Sequence, residues 1–292
     1  MIPQQLAIFN GKGGVGKTSL SANVAAMAAA SGWRVLMIDL DSQGNLGRDL
    51  GYLWRGETDH GQSLVDAIQY GKPLAPPLKD VRPGLDVIPA GHLTDDLGAV
   101  MAERIRKDGD AIFALEKALA PLASNYSLVV CDCPPKDALI HDLALASSHY
   151  LVIPTTWDAG SLDGLARVAD RVSKVGRFNP DLAVLAVVLF GFAASAKAML
   201  AEVRKEIAKD LGEDIPVLLP PVRSADRAAK DMRDSGQVAY EYEQVALDAP
   251  PWYKGGGKAL SKAASSLAGD YQAITQQLLE LYREDSVPAV AQ

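Results

Sequence analysis

Residues 11 to 19 read GKGGVGKTS, and no other stretch restricts the folds open to this chain as much. Gly11, Gly16, Lys17 and Thr18 meet the pattern G-x-x-x-x-G-K-[ST], which works only between a strand and the first turn of a helix. The flanks supply both: QLAIFN is an apolar strand-like run, and TSLSANVAAMAAASG is helical in composition. Glycines let the backbone N–H groups of Gly13, Gly14, Val15 and Gly16 turn inward onto phosphate oxygens, while the helix start at Lys17, Thr18 and Ser19 adds its dipole. Lys17 is expected to reach the β- and γ-phosphates and Thr18 to hold Mg²⁺, so a nucleoside triphosphate and Mg²⁺ are the expected cofactors. Lys12 is one lysine more than the pattern needs. An ammonium at the loop's start requires an anion or water; a second subunit's phosphates would provide the anion, and a solvated loop lysine is the plain alternative.

The rest of the chain fits an open sheet. Strand-like runs recur ahead of segments with helical spacing: QLAIFN, RVLMIDL, LDVIP, YSLVVCDCP, YLVIP, LAVLAVVLF and IPVLLP. The alternation predicts an α/β fold, a doubly wound and mostly parallel sheet with helices on both faces and ligands at its carboxyl edge. Residues 1–285 are expected to form a single domain and 286–292 a disordered tail. Between residues 52 and 83 the pattern loosens into an insertion around one short helix, GQSLVDAIQYG. Near the C-terminus, Leu260, Ala264, Leu267, Tyr271, Ile274, Leu278 and Leu281 mark one face of a helix packed on the body.

Net charge is −7 over 292 residues, which excludes a globally basic nucleic-acid binder but not a local patch. No charge-free apolar run approaches the ~18 residues of a membrane span, and no basic leader precedes the first strand, so a cytoplasmic protein is expected. Cys131 and Cys133 lie two apart on one strand, where they project the same way and cannot pair; they read as reduced, buried thiols.

KGGVGKTS resembles the deviant Walker A loop of the ParA/MinD group of ATPases. In that group the early lysine crosses a sandwich dimer to the other subunit's ATP, which implies the same role for Lys12. DLDSQGN is similar to the group's D-x-D-P-Q-G-N. That similarity implies that Asp41 orients the attacking water and belongs to the metal site, with Lys12 and Lys17 as its catalytic companions. Ser42 stands where the group usually has proline, which removes no chemical group. VVCDCPP has the form of a Walker B strand, and the resemblance implies that Asp132 holds Mg²⁺ directly or through water. A cluster-bridging role like that of the nitrogenase iron protein is not expected, because both cysteines sit on one strand. LPPVRSADRAAKDMRDSG resembles the group's adenine-side loop, which places Pro220 and Pro221 against the base. The usual asparagine after the preceding strand is replaced by the run LFGF.

Arg223, Arg227 and Lys230 recur at helical spacing, as do Lys254, Lys258 and Lys262. Residues 220–262 carry a net +1, against −8 for the remainder. Such stripes are commonly solvated surface. The resemblance instead implies non-specific duplex DNA binding by an ATP-bound homodimer on the nucleoid, with hydrolysis stimulated by a ParB-like activator. No helix-turn-helix precedes the loop, and no membrane contact is expected. The alternatives are a MinD-like membrane regulator, disfavoured by the lack of lysine and arginine between Lys262 and Arg283, and a synthase of the dethiobiotin-synthetase type.

Overall fold

Seven strands form one sheet: β1 (Ile2–Ile8), β2 (Val35–Asp39), β3 (Leu78–Arg82), β4 (Leu85–Ile88), β5 (Leu128–Asp132), β6 (Ser148–Thr156) and β7 (Ala183–Phe190). Their spatial order is β3-β4-β2-β5-β1-β6-β7. Every neighbouring pair is parallel except β3 against β4. The computed structural model describes residues 1–56, 58–192, 197–248, 261 and 263–286.

Helices cover both faces because the strands are apolar on both. Val35 and Met37 of β2 point into one core while Leu36 and Ile38 point into the other; Leu128 and Val130 of β5 likewise oppose Val129 and Cys131. The first core is closed by α1 (Lys17–Ala30), α2 (Asn45–Asp49), α9 (Asp226–Ser235), α10 (Ala239–Asp248) and α11 (Ala264–Ser286). The second is closed by α3 (Gln62–Tyr70), α4 (Leu97–Lys107), α5 (Ala114–Ala123), α6 (Ala138–Ser147), α7 (Ala159–Val175) and α8 (Lys197–Leu211).

The helix that follows the glycine loop is built for close approach. Ala22, Ala25, Ala26, Ala28 and Ala29 of α1 are buried, so the sheet and α11 can both come near its backbone. The stripe Ala264, Leu267, Tyr271, Ile274 and Leu278 is buried in the same core, and Leu281 packs at its margin. Each large side chain buried there stabilises the packing by roughly 1.5–3 kcal/mol. Leu260, the first residue of that stripe, and the tail 287–292 lie outside the described residues.

Two expectations change. The run IPVLLP is no strand: it makes one isolated bridge, Val217 to Val187, and a second follows just beyond it, Val222 to Phe190. Pro216, Pro220 and Pro221 lack the N–H groups a ladder needs. Conversely, the insertion over 52–83 ends in β3, an antiparallel edge strand. Its charged sequence, LKDVR, hides the strand signal, because lysine and arginine are what protected edges carry. Arg82 fixes this edge to the body, donating to both Glu241 carboxylate oxygens at 2.6 and 2.9 Å and to the carbonyls of Leu50 and Gly236 at 2.8 Å each.

Candidate functional site

The glycine loop leaves the carboxyl end of β1 and is clamped at its entrance by Asn10. This buried side chain accepts from the Lys12 N–H at 2.9 Å and donates to the Pro154 carbonyl at 2.8 Å, tying the loop to β6. Gly14 and Gly16 have φ of 78° and 90°, the left-handed region that only glycine adopts freely. Gly16 is constrained twice, since a β-carbon there would lie 2.7 Å from the Phe190 ring. Beyond it α1 begins, and the Lys17 ammonium bends back over the loop to donate to the Lys12 carbonyl at 2.8 Å. Burial lowers the Lys17 pKa, while Asp132 opposes that shift by favouring the charged form.

Beneath the loop two carboxylates meet. Strand pairing puts Asp39 at the end of β2 level with Asp132 at the end of β5, both fully buried. Asp132 Oδ1 accepts from the Ser21 hydroxyl at 3.0 Å, and Asp39 Oδ1 accepts from the Asp41 N–H at 2.9 Å. The second oxygen of each has no hydrogen-bond partner among the described residues. Burial pushes the Asp132 carboxyl up to about 7, against hydrogen bonds from Thr18 and Ser21 and the charge of Lys17. Asp39 is held well above the usual carboxylate range, first by burial and then by the charge of Asp132.

Orphaned buried carboxylate oxygens are costly unless a cation compensates them, and oxygen donors alone suit a hard ion such as Mg²⁺. No group of three or more His, Cys, Asp or Glu side chains among the described residues could hold a metal ion. Thr18, Asp41 and Asp132 offer oxygen donors of the kind that would suit such an ion together with phosphate oxygens. Asp39 carried no assigned role in the sequence reading; the missing signal was its register with Asp132, which strand order alone supplies.

Asp41 is 7% exposed and closes its own turn: its carboxylate accepts from the Gln43 N–H at 3.0 Å and its carbonyl from the Gly44 N–H at 2.9 Å. The turn therefore holds without a proline at position 42. Gly44 is the N-cap of α2 and no side chain caps that helix, so Asp41 remains beside the carboxylate pair rather than serving as a cap. Lys12 turns away from the cradle. Its Nζ pairs with Asp158, on the connection from β6 to α7, where Thr156 also donates to Asp158 at 2.5 Å. Asp158 is a partner the sequence did not indicate.

A cleft of about 260 Å³ opens beside the loop, between Gly14, Gly16, Ser19, Phe190 and the segment from Val222 to Asp226. Pro220 is exposed and Pro221 half-buried, and neither lines the cleft; the five residues after them do. Among the described residues, two of the expected basic side chains are held in ion pairs. Arg223 precedes α9 rather than lying on it, and its guanidinium grips buried Asp270 at 2.6 and 2.8 Å. Arg227 lies 3.8 Å from Asp231, and Arg233 donates to Asp49 at 2.9 Å. Lys230 is exposed. Lys254, Lys258 and Lys262 lie outside the described residues. Cys131 and Cys133 are buried free thiols whose pKa burial raises, as expected of packing residues.

A family model described as an AAA domain matches residues 3–184. The chain is similar to the chromosome partitioning protein ParA of Myxococcus xanthus, 34% identical over 215 residues that span 72% of this chain and 74% of that protein. Its fold is similar to a Cyanothece McdA variant in complex with ATP, with a TM-score of 0.75 at 18% identity, covering 99% of this chain and 98% of that one. A cobyrinic acid a,c-diamide synthase from Mycobacterium smegmatis with bound ATP analogue and magnesium also superimposes, with a TM-score of 0.68 at 24% identity and 99% of each chain covered. Among the described residues no helix is long and apolar enough to cross a membrane.

Proposed function

This chain belongs to the ParA/MinD family of P-loop ATPases, and from that premise we propose that it is a partition ATPase switched by ATP-dependent dimerisation. The observation that carries the reading is the divergence of the two loop lysines. Lys17 covers its own loop, whereas Lys12 extends to the outside and is held there by a half-exposed carboxylate. A cation so placed can exchange Asp158 for phosphates held by a second copy.

In this reading residues 1–285 act as one ATPase domain, and Gly11 to Ser19 cradle the triphosphate of ATP. Thr18 and Asp132 hold Mg²⁺, which neutralises charge on the phosphates when bound. Asp41 orients the attacking water and accepts its hydrogen bond at the edge of the site. The base lies in the cleft against Phe190 and the segment from Val222 to Asp226, where backbone groups replace the family's asparagine. The paired subunits bind duplex DNA without sequence preference through Arg227, Lys230 and the lysines at 254, 258 and 262, on the nucleoid in the cytoplasm. Arg223 is left out of that surface, because its charge is committed to Asp270. A ParB-like activator accelerates hydrolysis and releases the dimer.

The test uses the full chain with a non-hydrolysable ATP analogue and Mg²⁺. Light scattering after gel filtration is expected to report a dimer for the wild type and a monomer for Lys12→Ala, with unchanged circular dichroism. A Lys12→Ala protein that still dimerises would remove the basis of the reading. Gel shifts with arbitrary duplex DNA are expected to show retention only with ATP, weakened by salt and reduced by Lys230→Ala.

A further inference from the structure

A second cavity, of about 330 Å³, lies on the opposite side of the phosphate loop from the base cleft. The base cleft touches the loop at Gly14, Gly16 and Ser19, whereas this cavity touches it at Gly11 and Lys12. With a base in the cleft, phosphates cradled along the loop would run toward its Gly11 and Lys12 end, which this cavity adjoins. The remaining walls come from Pro135 and Lys136 after β5, from His141 of α6, and from Arg167 and Arg171 of α7.

The charges around this cavity are mostly positive. Arg171 is paired with Asp142 at 2.5 Å and donates to the Ala138 carbonyl, and Lys12 is paired with Asp158. Asp170, the one acid lining the cavity, is paired with Lys174 at 2.6 Å. Lys136 and Arg167 are exposed and make no ion pair among the described residues. His141 adds no charge: its Nε2 lies 2.8 Å from the Pro134 carbonyl, so Nε2 carries the proton, and the ring stacks near Phe9 with centroids 4.6 Å apart.

The backbone that presents Lys136 is strained. Asp137 has φ 125°, a conformation uncommon outside glycine, and is held there by accepting from the Leu139 and Ile140 N–H groups at 3.0 and 3.1 Å. Its carboxylate packs directly on Gly98 of α4, where no side chain could be accommodated. Strain of this kind persists only where the surroundings enforce it. Here it sets the position of Lys136 at the mouth of the cavity.

We propose that this cavity is an oxyanion site, with Lys136 and Arg167 as its binding cations, that takes the orthophosphate cleaved from ATP as it leaves the loop. The inference rests on the ATPase reading for the source of the phosphate, but not for the site itself. Arginine supplies a planar fork for two phosphate oxygens, and lysine supplies a point charge. The apolar floor of Phe9 and Val168 limits competing hydration.

The probe is inorganic phosphate, titrated by calorimetry into the full chain loaded with ADP, so that the base cleft is filled and no turnover occurs. Saturable binding in the millimolar range is expected, with at least a tenfold loss in the Lys136→Ala, Arg167→Ala double variant and unchanged ADP affinity as the control for folding. Lys136→Arg is expected to restore most of the binding. Equal phosphate binding by the double variant, or none by the wild type, would overturn the proposal; so would binding seen only at concentrations where the chain is dimeric. Because no hydrolysis is read, a chain that binds phosphate but never cleaves ATP would sink the ATPase reading and leave this site standing.

Discussion

The two lysines of the glycine loop stand five residues apart and occupy opposite physical settings. Lys17 is buried, bonded to a main-chain carbonyl and close to Asp132, with neighbours that the sheet holds in place. Lys12 sits in an ion pair whose side chains are 31% and 49% exposed. A buried charge can change partner only by breaking the fold around it, whereas an exposed pair is worth about 1 kcal/mol or less and exchanges readily. The interior lysine thus suits chemistry within one chain, and the outer one suits a switch between chains.

The comparison breaks most visibly at Lys17. Lys17→Ala is expected to lower ATP turnover by at least ~100-fold, about 3 kcal/mol of lost transition-state stabilisation, in a phosphate-release assay. If turnover survived while Lys12→Ala abolished it, the roles of the two lysines would have to be exchanged.

Next in size is a pH effect at buried His141, which lines the cavity beside Lys12. Burial holds the His141 imidazole down to about 4, so it is neutral in the native state, while the unfolded chain takes up a proton near 6.5. Its contribution is complete above pH 6.5 and is lost as pH falls toward 4, by roughly 3 kcal/mol. Urea unfolding at a series of pH values should show that slope, and His141→Phe should flatten it.

Gly16→Ala tests the rigid side through the backbone. A positive φ and the contact with Phe190 act together, and a loss of about 2 kcal/mol is expected in chemical unfolding. Adding Phe190→Ala should recover only the packing share. The smallest effect belongs to the outer side. Asp158→Asn should change stability by under ~1 kcal/mol and shift analogue-induced dimerisation to lower protein concentration by up to about fivefold. A large loss of stability instead would mean that this pair is structural and that the two settings do not differ as described.

Much of this molecule was legible in one dimension. The glycine loop between a strand and a helix, the alternating strands and helices, the apolar stripe of α11 and the buried cysteines all depend on spacing within a few residues, which the chain carries locally. The positions of Asp132 at the end of β5 and of Asp41 two residues beyond β2 were legible because both follow apolar strand-like runs. The base-side segment was found two residues early: Pro220 is exposed and Pro221 half-buried, and the lining begins at Val222 just after them.

The amino-acid sequence by itself determined that a phosphate-binding loop would lie at the carboxyl edge of a parallel sheet, because glycine conformation, helix initiation and strand periodicity are local properties. Only the tertiary structure decided which charges meet. Ser21 finds Asp132 across 111 positions, Lys12 finds Asp158 across 146, and the charge of Arg223 is taken up by Asp270 across 47. Those partnerships follow from strand order and helix placement, where many arrangements share the same local pattern, and a buried carboxylate such as Asp132 or Asp270 must find a donor there.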